Sequence, residues 1–219
     1  MRAVLIPVKR FSRANERLRE VLSPSAREGL ARVMLGDVLS NIRLCGKADA
    51  LFVVTAEPEA METGRAMGME IIAEETQEGE SSSVYFAMKK CAEMGARSVL
   101  VVPGDIPCAP PGEFDAVMEK DDGEKRIVIV PSRDGTGTNA LMMNPCGVMK
   151  PSFGNNSFPR HKEMAREAGI AFSSLTLSGI GLDIDGPEDL EIFMRAGAGT
   201  ETHSYLRNLG VETKTGKTA

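Results

Sequence analysis

The chain is poor in several residue types that particular classes of protein require. It has no tryptophan, only two histidines, and 5% aromatic residues. Proteins that bind single-stranded nucleic acid stack the bases on aromatic side chains, and this chain has few to offer. The four cysteines lie far apart without a C-x-x-C pair. With so few histidines, a structural zinc site is not expected.

Positive charge is not in excess either. The 26 Lys and Arg residues are outnumbered by 31 Asp and Glu residues, which gives a net charge of -5. Nucleic acids and anionic membranes attract basic proteins, so we expect neither as a partner. The longest apolar runs are too short to span a bilayer, and the first, residues 3–8, is too short for a signal-peptide core. We therefore expect a cytoplasmic protein with reduced thiols.

Short apolar runs alternate with helical patterns through the first 130 residues. Runs typical of buried parallel strands cover residues 3–8, 51–55, 99–102 and 127–130. Helices are predicted from Ser23 and Pro24 onward and over residues 58–67 and 84–94. This alternation predicts a three-layer α/β domain with a mainly parallel sheet. The later stretches "GTGTNALMM" and "IAFSSLTL" also look like strands, and we expect an antiparallel strand or hairpin there.

The length of the chain fits one domain. We assign residues 1–195 to it and residues 196–219 to a C-terminal tail with a short helix around 205–209. We expect the end of that tail to be disordered.

Three acidic residues follow predicted strands. "PGDIP" contains Asp105, and "GLDIDGPEDL" contains Asp183 and Asp185. On an extended segment, residues i and i+2 face the same side, so the last two carboxylates would lie side by side. At roughly 4 Å and an effective dielectric of about 20 they repel by about 4 kcal/mol, which a raised pKa or a cation would offset. Mg²⁺ prefers such oxygen ligands, and ligands of α/β sheets bind beyond the carboxyl ends of strands.

A structural interpretation of the same acids stays open. Asp105 could belong to a Gly-Asp turn, and Asp185 could stabilise the first turn of a helix that begins at Pro187.

The first predicted strand is followed by five cations in eleven residues. They could bind a triphosphate or form a solvated surface loop, and these residues alone favour the surface loop. The sequence has no G-x-x-x-x-G-K-[ST] and no G-x-G-x-x-G after a strand, so it is neither a P-loop protein nor a typical dinucleotide-binding protein. The five cations are Lys9, Arg10, Arg13, Arg17 and Arg19.

Two further stretches have both a ligand-binding and a structural interpretation. "GTGTNAL" could wrap a phosphate with its backbone amides, but a tight turn between strands is favoured. "FGNNSFPRHKEMA" could present helix N-terminal amides to an anion, or Ser157 could be a helix N-cap. We expect His161, on this helix, to be a surface or capping residue rather than a catalyst.

Taken in order, these motifs resemble one family. The stretches "IPVKR....N.RL", "PGDIP", "GTGTNALMM", "FGNNSFPRHKEMA" and "DIDGPEDL" are similar to the guanylyltransferases that activate 2-phospho-L-lactate or phosphoenolpyruvate in the biosynthesis of the deazaflavin coenzyme F(420). The resemblance covers nearly the whole chain. "GTNAL" and "FG..SF..H...A" are its specific parts, whereas "GD" and "D.D" occur across nucleotidyltransferases.

The resemblance implies a Rossmann-like, GT-A-like nucleotidyltransferase fold. It further implies that Asp105, Asp183 and Asp185 are catalytic residues that bind Mg²⁺. It also implies that the phosphorylated acid is held by Thr138, Gly154 and Ser157, which match the family's substrate positions.

The resemblance also implies where the nucleotide binds. Lys9 and Arg17 match the triphosphate loop, in which relatives usually carry Lys at the position of Asn15. Either Arg13 supplies this missing charge or triphosphate binding is weaker. The stretch "QEGESSSVYFAM", with Ser82 and Ser83, looks like the segment that meets the base, although its serines could equally start a helix.

The resemblance therefore predicts transfer of GMP from GTP to a three-carbon phospho-acid, with release of pyrophosphate. Oligomeric state stays open, and a homodimer is compatible with it. One alternative is another small-molecule nucleotidyltransferase, such as a cytidylyltransferase or a molybdopterin guanylyltransferase, although "PVKRFSRA" lacks their usual Gly-rich loop. A second alternative is a non-catalytic nucleotide-binding regulatory domain.

Overall fold

The computed structural model describes residues 1–75 and 79–211. Within these residues, one sheet contains the strands Arg2–Val8 (β1), Ala50–Thr55 (β2), Glu70–Ala73 (β3), Ser98–Val101 (β4), Arg126–Pro131 (β5), Thr138–Asn144 (β6) and Ala171–Ser174 (β7). The α-helices are Pro24–Ile42 (α1), Pro58–Ala66 (α2), Glu80–Glu93 (α3), Pro111–Met118 (α4), Ser157–Glu167 (α5), Pro187–Ala196 (α6) and Glu201–Asn208 (α7).

The sheet has the strand order β3-β2-β1-β4-β6-β5-β7. Strand β6 runs antiparallel to both of its neighbours, and the other pairs are parallel. The predicted α/β class, with a mainly parallel sheet and an antiparallel hairpin in its second half, is therefore confirmed. Because β6 is reversed, its first residues lie at the same edge of the sheet as the last residues of β1 and β4.

Helices cover both faces of the sheet because its central strands are apolar on both faces. In β1, Val4 and Ile6 pack in the cluster that contains the inner faces of α1, α2 and α4. Ala3 and Leu5, which point the other way, pack in the cluster that contains α3 and α5. A continuous apolar run is what this burial on two faces requires, and it produces the predicted three layers.

Most predicted element starts are confirmed, with two exceptions. Ser23 caps α1 by accepting the backbone N–H of Ala26 at 3.3 Å, as its position before Pro24 predicts. Helix α3 begins at Glu80 rather than at residue 84, because the serines that follow form its first turn. The sequence does not predict α4, since Gly112 in its first turn weakens the helical pattern.

A third apolar cluster lies on the outer side of α1. It joins Leu18 of the basic loop and Ile184 of the acidic segment to α6 and to Leu206 of α7. Helix α7, near the predicted short helix, also holds α1 through the hydroxyl of Tyr205, which donates to the carbonyl of Ala26 at 3.1 Å. The division at residue 195 stays a prediction, and the predicted disordered end lies outside the described residues from 212 onward.

Among the helices that the structure describes, not one combines the length and the apolar character needed to cross a membrane.

Candidate active site

A cleft of about 840 Å³ opens where the carboxyl ends of β1 and β4 meet the start of β6. The loops after β1 and β4, the β5–β6 turn, the segment before α5 and the segment before α6 all contribute to its lining. Such a position beyond strand ends is where α/β sheets bind their ligands.

The basic loop after β1 is anchored to the body of the protein. Its apolar residues Phe11 and Leu18 are buried, and each begins or ends a short 3-10 helix. The buried guanidinium of Arg27 on α1 donates to the carbonyl of Ala14 at 3.2 Å and to Glu16 Oε1 at 2.6 Å. A freely solvated loop would have neither contact, so the surface-loop interpretation does not fit.

Three of the five cations in this loop line the cleft, namely Lys9, Arg13 and Arg17. Asn15 adopts a left-handed backbone conformation with a φ of 53°, and its amide donates to the carbonyl of Arg27 at 3.2 Å. Asn is enriched in this conformation relative to Lys. The departure from the family pattern therefore has a structural role in shaping the loop.

The two acidic segments are joined by the backbone. The N–H of Ile184 donates to the carbonyl of Asp105 at 3.1 Å, and the side chain of Ile184 is fully buried in the third cluster. Its neighbours Asp183 and Asp185 consequently both line the cleft. The prediction that this pair directly follows the last strand is wrong, because β7 ends at Ser174 and residues 182–185 lie outside the strands of the sheet.

The carboxylates of Asp105 and Asp183 are held in an environment that disfavours their charge. Burial, reinforced by the charges of Asp183 and Glu80, raises the pKa of Asp105 well above the usual range. Burial also raises the pKa of Asp183, although its Oδ1 accepts a hydrogen bond from Asn139 at 2.9 Å. Asp105 Oδ1 is buried without a hydrogen-bond partner. An unpaired buried carboxylate oxygen is costly unless a cation binds it, so this pair fits a divalent metal ion.

The third acid is held differently. Asp185 Oδ2 accepts a hydrogen bond from Nη1 of Arg17 at 2.6 Å, and Nη2 of Arg17 donates to Asn155 Oδ1 at 3.4 Å. Lys9 Nζ lies 3.4 Å from Glu80 Oε2. Within residues 1–75 and 79–211, three or more His, Cys, Asp or Glu side chains do not come together in a group that could hold a metal ion. All three predicted metal ligands thus reach the cleft, but the carboxylate of Asp185 is paired with the guanidinium of Arg17.

We call Lys9, Arg17, Asp105, Asp183 and Asp185 the charged wall of the cleft. We call Thr138 and Ser157, together with His161 behind them, the neutral wall; these residues are 9%, 1% and 0% exposed.

Hydrogen bonds link the side chains of the neutral wall. The hydroxyl of Ser157 donates to Thr138 Oγ1 at 3.1 Å, and Thr138 Oγ1 lies 3.1 Å from Nδ1 of His161. His161 Nε2 accepts the backbone N–H of Ser152 at 2.9 Å. The expectation that His161 lies at the surface is wrong. Ser157, His161 and Ala165 are spaced at i, i+4 and i+8, which places all three on the buried face of α5. This spacing is the sequence signal that predicts the burial of His161.

Backbone amides of the turn between β5 and β6 donate hydrogen bonds to side chains within the same turn. The N–H of Gly137 donates to Ser132 Oγ at 2.7 Å, and that of Thr136 donates to Asp134 Oδ1 at 2.9 Å. The tight-turn interpretation of "GTGTNAL" is thus the one the structure supports. The N-cap of α5 is Asn156 rather than Ser157, because Ser157 already lies in the helix.

Only one of the two predicted nucleotide-binding serines lines the cleft. Ser83 is buried and lines the cleft, whereas Ser82 is exposed and is not among the residues that line it. Ser81 instead accepts the backbone N–H of Phe153 at 2.8 Å. Gln77 and Glu78 of the same predicted segment lie outside the described residues.

Gly154 lines the cleft with a φ of +102°, a conformation that favours glycine. Sequence reasoning missed four residues that shape the site, although the quoted motifs contain them all: Glu80, Asn139, Asn155 and, as a buried residue, His161.

Comparison with known proteins gives consistent matches along the chain. Residues 1–219 match the family described as "Guanylyl transferase CofC like". The phosphoenolpyruvate guanylyltransferase of Conexibacter woesei is 35% identical, over 94% of this chain and 95% of its own length. The 2-phospho-L-lactate guanylyltransferase of Methanothermobacter thermautotrophicus is also 35% identical, over 94% of this chain and 89% of its own.

Solved structures share the fold at low sequence identity. A nucleotidyl transferase of Methanothermobacter superposes with a TM-score of 0.67 at 16% identity, over 95% of this chain and 99% of its own. A Mycobacterium tuberculosis protein in complex with manganese gives a TM-score of 0.57 at 15% identity, over 89% of this chain and 98% of its own. The predicted nucleotidyltransferase fold is therefore confirmed.

Proposed function

The chain belongs to the guanylyl transferase CofC-like family, and we propose that it transfers GMP from GTP to a three-carbon phospho-acid with release of pyrophosphate. The observation that carries this proposal is that one cleft is lined both by the charged wall and by the buried hydroxyls of the neutral wall. A polyphosphate with a metal ion fits the charged wall, and a small phosphorylated acid fits the neutral one. The acid is 2-phospho-L-lactate or phosphoenolpyruvate, the substrates in the relatives' names. The sequence resemblance assigns this reaction to coenzyme F(420) biosynthesis.

The cation in this proposal is Mg²⁺. Asp105 and Asp183 would hold it, since they supply a buried carboxylate oxygen without a partner and a second carboxylate beside it. Asp185 would join them once Arg17 turns from this carboxylate to the polyphosphate. The bound ion would neutralise negative charge on the transferring phosphoryl group. Charge repulsion among the carboxylates would be relieved at the same time.

The cations of the basic loop would grip the triphosphate. Lys9, Arg13 and Arg17 line the cleft, and Arg side chains bind phosphate oxygens bidentately. Their loop is fixed by the buried Leu18 and by Arg27, so less entropy is lost on binding. Catalysis in this account comes from positioning and from charge neutralisation.

The reaction itself needs no enzyme nucleophile. An oxygen of the acceptor phosphate attacks the α-phosphorus of GTP in line, a new P–O–P bond forms, and the bond between the α-phosphorus and the bridging oxygen breaks to release pyrophosphate. Thr138, Gly154 and Ser157 would orient the acceptor. A phosphate monoester is anionic near pH 7, so no general base is required. This agrees with the burial of His161, which lowers its pKa to about 4 and makes it a poor base.

A substrate matrix tests the proposal. Purified protein with Mg²⁺ is given each of GTP, ATP, CTP and UTP together with 2-phospho-L-lactate, phosphoenolpyruvate or 3-phosphoglycerate, and pyrophosphate release is measured. We expect turnover with GTP and one or both of the first two acids. Turnover restricted to CTP, or to another acceptor, would contradict the guanylyltransferase assignment. Nucleotide binding without turnover of any pair would contradict the enzymatic function and favour a regulatory domain.

A further inference from the structure

We propose that His161 is a positioning residue that fixes the hydroxyl of Thr138 so that its proton is donated into the cleft, toward the phospho-acid. The inference rests on the proposed function and deepens it by assigning a role to a residue that does not line the cleft. His161 is fully buried beneath Thr138, and its ring has two defined partners.

The partners of the ring define its tautomer. The backbone N–H of Ser152 can only donate, and it lies 2.9 Å from Nε2, so Nε2 is an acceptor. A neutral imidazole then carries its proton on Nδ1. Burial, with the charge of Arg160, lowers the pKa of His161 to about 4 and keeps the ring neutral near pH 7. Nδ1–H therefore donates to Thr138 Oγ1 at 3.1 Å.

The second partner of Thr138 completes the arrangement. Its Oγ1 also accepts the hydroxyl proton of Ser157 at 3.1 Å. A hydroxyl group has two lone pairs and one proton, and both lone pairs are now occupied. Thr138 lines the cleft, so its own proton is left to hydrogen bond with a ligand there. A neutral wall that donates in this way suits an anionic acceptor without adding charge to it.

The same ring also supports the loop that carries the other acceptor residues. His161 packs edge-on against Phe153 with ring centroids 5.4 Å apart, and it holds the amide of Ser152. Arg160 clamps this loop from outside by donating to Ser152 Oγ at 2.8 Å. The loop therefore has a support that is independent of His161, which makes the effect on Thr138 separable by mutation.

A double-mutant cycle tests the inference. We expect His161→Phe to raise the KM for the phospho-acid about ten-fold while the KM for GTP stays unchanged, since one hydrogen bond to the acceptor is misdirected. In a Thr138→Val background the same substitution is expected to change that KM by less than about two-fold, because its effect acts through Thr138. His161→Asn, whose amide nitrogen lies near the position of Nδ1, is expected to restore the KM better than His161→Gln. Equal effects in both backgrounds, or equal effects on both substrates, would overturn the inference.

A spectroscopic readout separates this inference from the proposed function. The chain has only two histidines, so long-range ¹H–¹⁵N correlation spectra of the ¹⁵N-labelled protein show two rings, and His203→Gln identifies His161. We expect an Nδ1–H tautomer at pH 7 whose Nδ1 resonance shifts in Thr138→Val. An Nε2–H tautomer would overturn the inference even if the wild type turns over GTP. A wild type without turnover would overturn the proposed substrates, whereas the tautomer would still report the network.

Discussion

The two walls of the cleft differ in how complete they are without ligands. In the neutral wall, Ser157, Thr138 and His161 are buried and hydrogen-bonded to one another. In the charged wall, Asp105 keeps a buried oxygen without a partner, and Arg17 is paired with Asp185. These hydrogen bonds fix the side chains of the neutral wall and leave one hydroxyl proton, that of Thr138, for the acceptor, whereas the unpaired or self-paired charges of the other wall await a counterion. The comparison teaches that the acceptor side of the site is built in advance and that the metal–nucleotide side is completed by its ligands.

The difference predicts opposite consequences of mutation on the two sides. Substitutions in the charged wall should weaken catalysis or nucleotide binding with little loss of stability, because its carboxylates repel one another until ligands bind. Substitutions in the neutral wall should affect stability and acceptor binding together.

The largest effect is expected for Asp183→Asn. Loss of one of two adjacent carboxylates removes the charge that a divalent cation needs, so we expect pyrophosphate release to fall by about a thousand-fold or more. Thermal unfolding of the metal-free variant should occur no lower than in the wild type. Glu93→Gln, an exposed acid at the end of α3, is the matched control and should retain full activity. Activity of Asp183→Asn within ten-fold of the wild type would contradict the claim that the charged wall is completed by a metal ion.

The next effect is expected for Arg17→Ala. Charge-assisted hydrogen bonds contribute about 1.5–3 kcal/mol, so the KM for GTP should rise about ten- to a hundred-fold while the KM for the phospho-acid changes little. Arg19→Ala removes an exposed cation of the same loop that is not among the residues lining the cleft, and it should leave both KM values unchanged. Equal effects of the two substitutions would show that only the net charge of the loop matters.

The neutral wall should make stability sensitive to acid. The pKa of His161 is lowered to about 4 in the folded protein, so between this value and its ordinary value of 6.5 the unfolded chain binds more protons. Stability is then greatest above the unfolded pKa and falls as the pH drops, by on the order of 3 kcal/mol from this residue. Denaturant unfolding at pH 7 and pH 4.5 should show this loss in the wild type. A smaller loss is expected in His161→Phe.

His203→Gln is the matched control for that measurement, since it removes the second histidine of the chain. Its stability should fall with acidification as much as that of the wild type. If His161→Phe loses as much stability in acid as the wild type, the buried neutral ring is contradicted.

The smallest expected effect is a gain in stability. Asp105→Asn removes a buried carboxyl group whose ionisation is opposed by burial and by the charges of Asp183 and Glu80, so the metal-free protein should be stabilised by about 1 kcal/mol, or roughly 2–4 °C in Tm. Differential scanning calorimetry without metal measures this difference at pH 7.5. Added Mg²⁺ should raise the Tm of the wild type but not that of the variant. A variant less stable than the wild type under metal-free conditions would mean that this carboxylate is not strained.

Local chemistry explains which parts of the molecule the sequence predicts. Asp105, Asp183 and Thr138 reach the cleft because they lie in motifs at strand ends or segment ends that the fold brings to one edge of the sheet. The strands of the first half of the chain are equally visible, since burial on two faces demands continuous apolar runs. Pattern and position were sufficient in these cases.

Contacts distant in sequence explain most of what was missed. The ion pair between Arg17 and Asp185 joins residues 168 positions apart, and no local pattern encodes it. The burial of His161 is an intermediate case, because the i, i+4 spacing from Ser157 was present but the ring is polar. A polar residue on a buried face is predictable only once its hydrogen-bond partners are known, and one of them, Thr138, belongs to a different element.

The most direct test of the account is a ³¹P NMR spectrum of GTP, phosphoenolpyruvate and Mg²⁺ recorded before and after incubation with the protein, with 2-phospho-L-lactate in a parallel sample. Attack on the α-phosphorus predicts a pair of mutually coupled diphosphate resonances from the new P–O–P bond, together with pyrophosphate in equal amount. GDP and orthophosphate in place of these signals would show hydrolysis at the γ-phosphorus. That outcome, or unchanged spectra with both acids, would contradict a cleft built for guanylyl transfer.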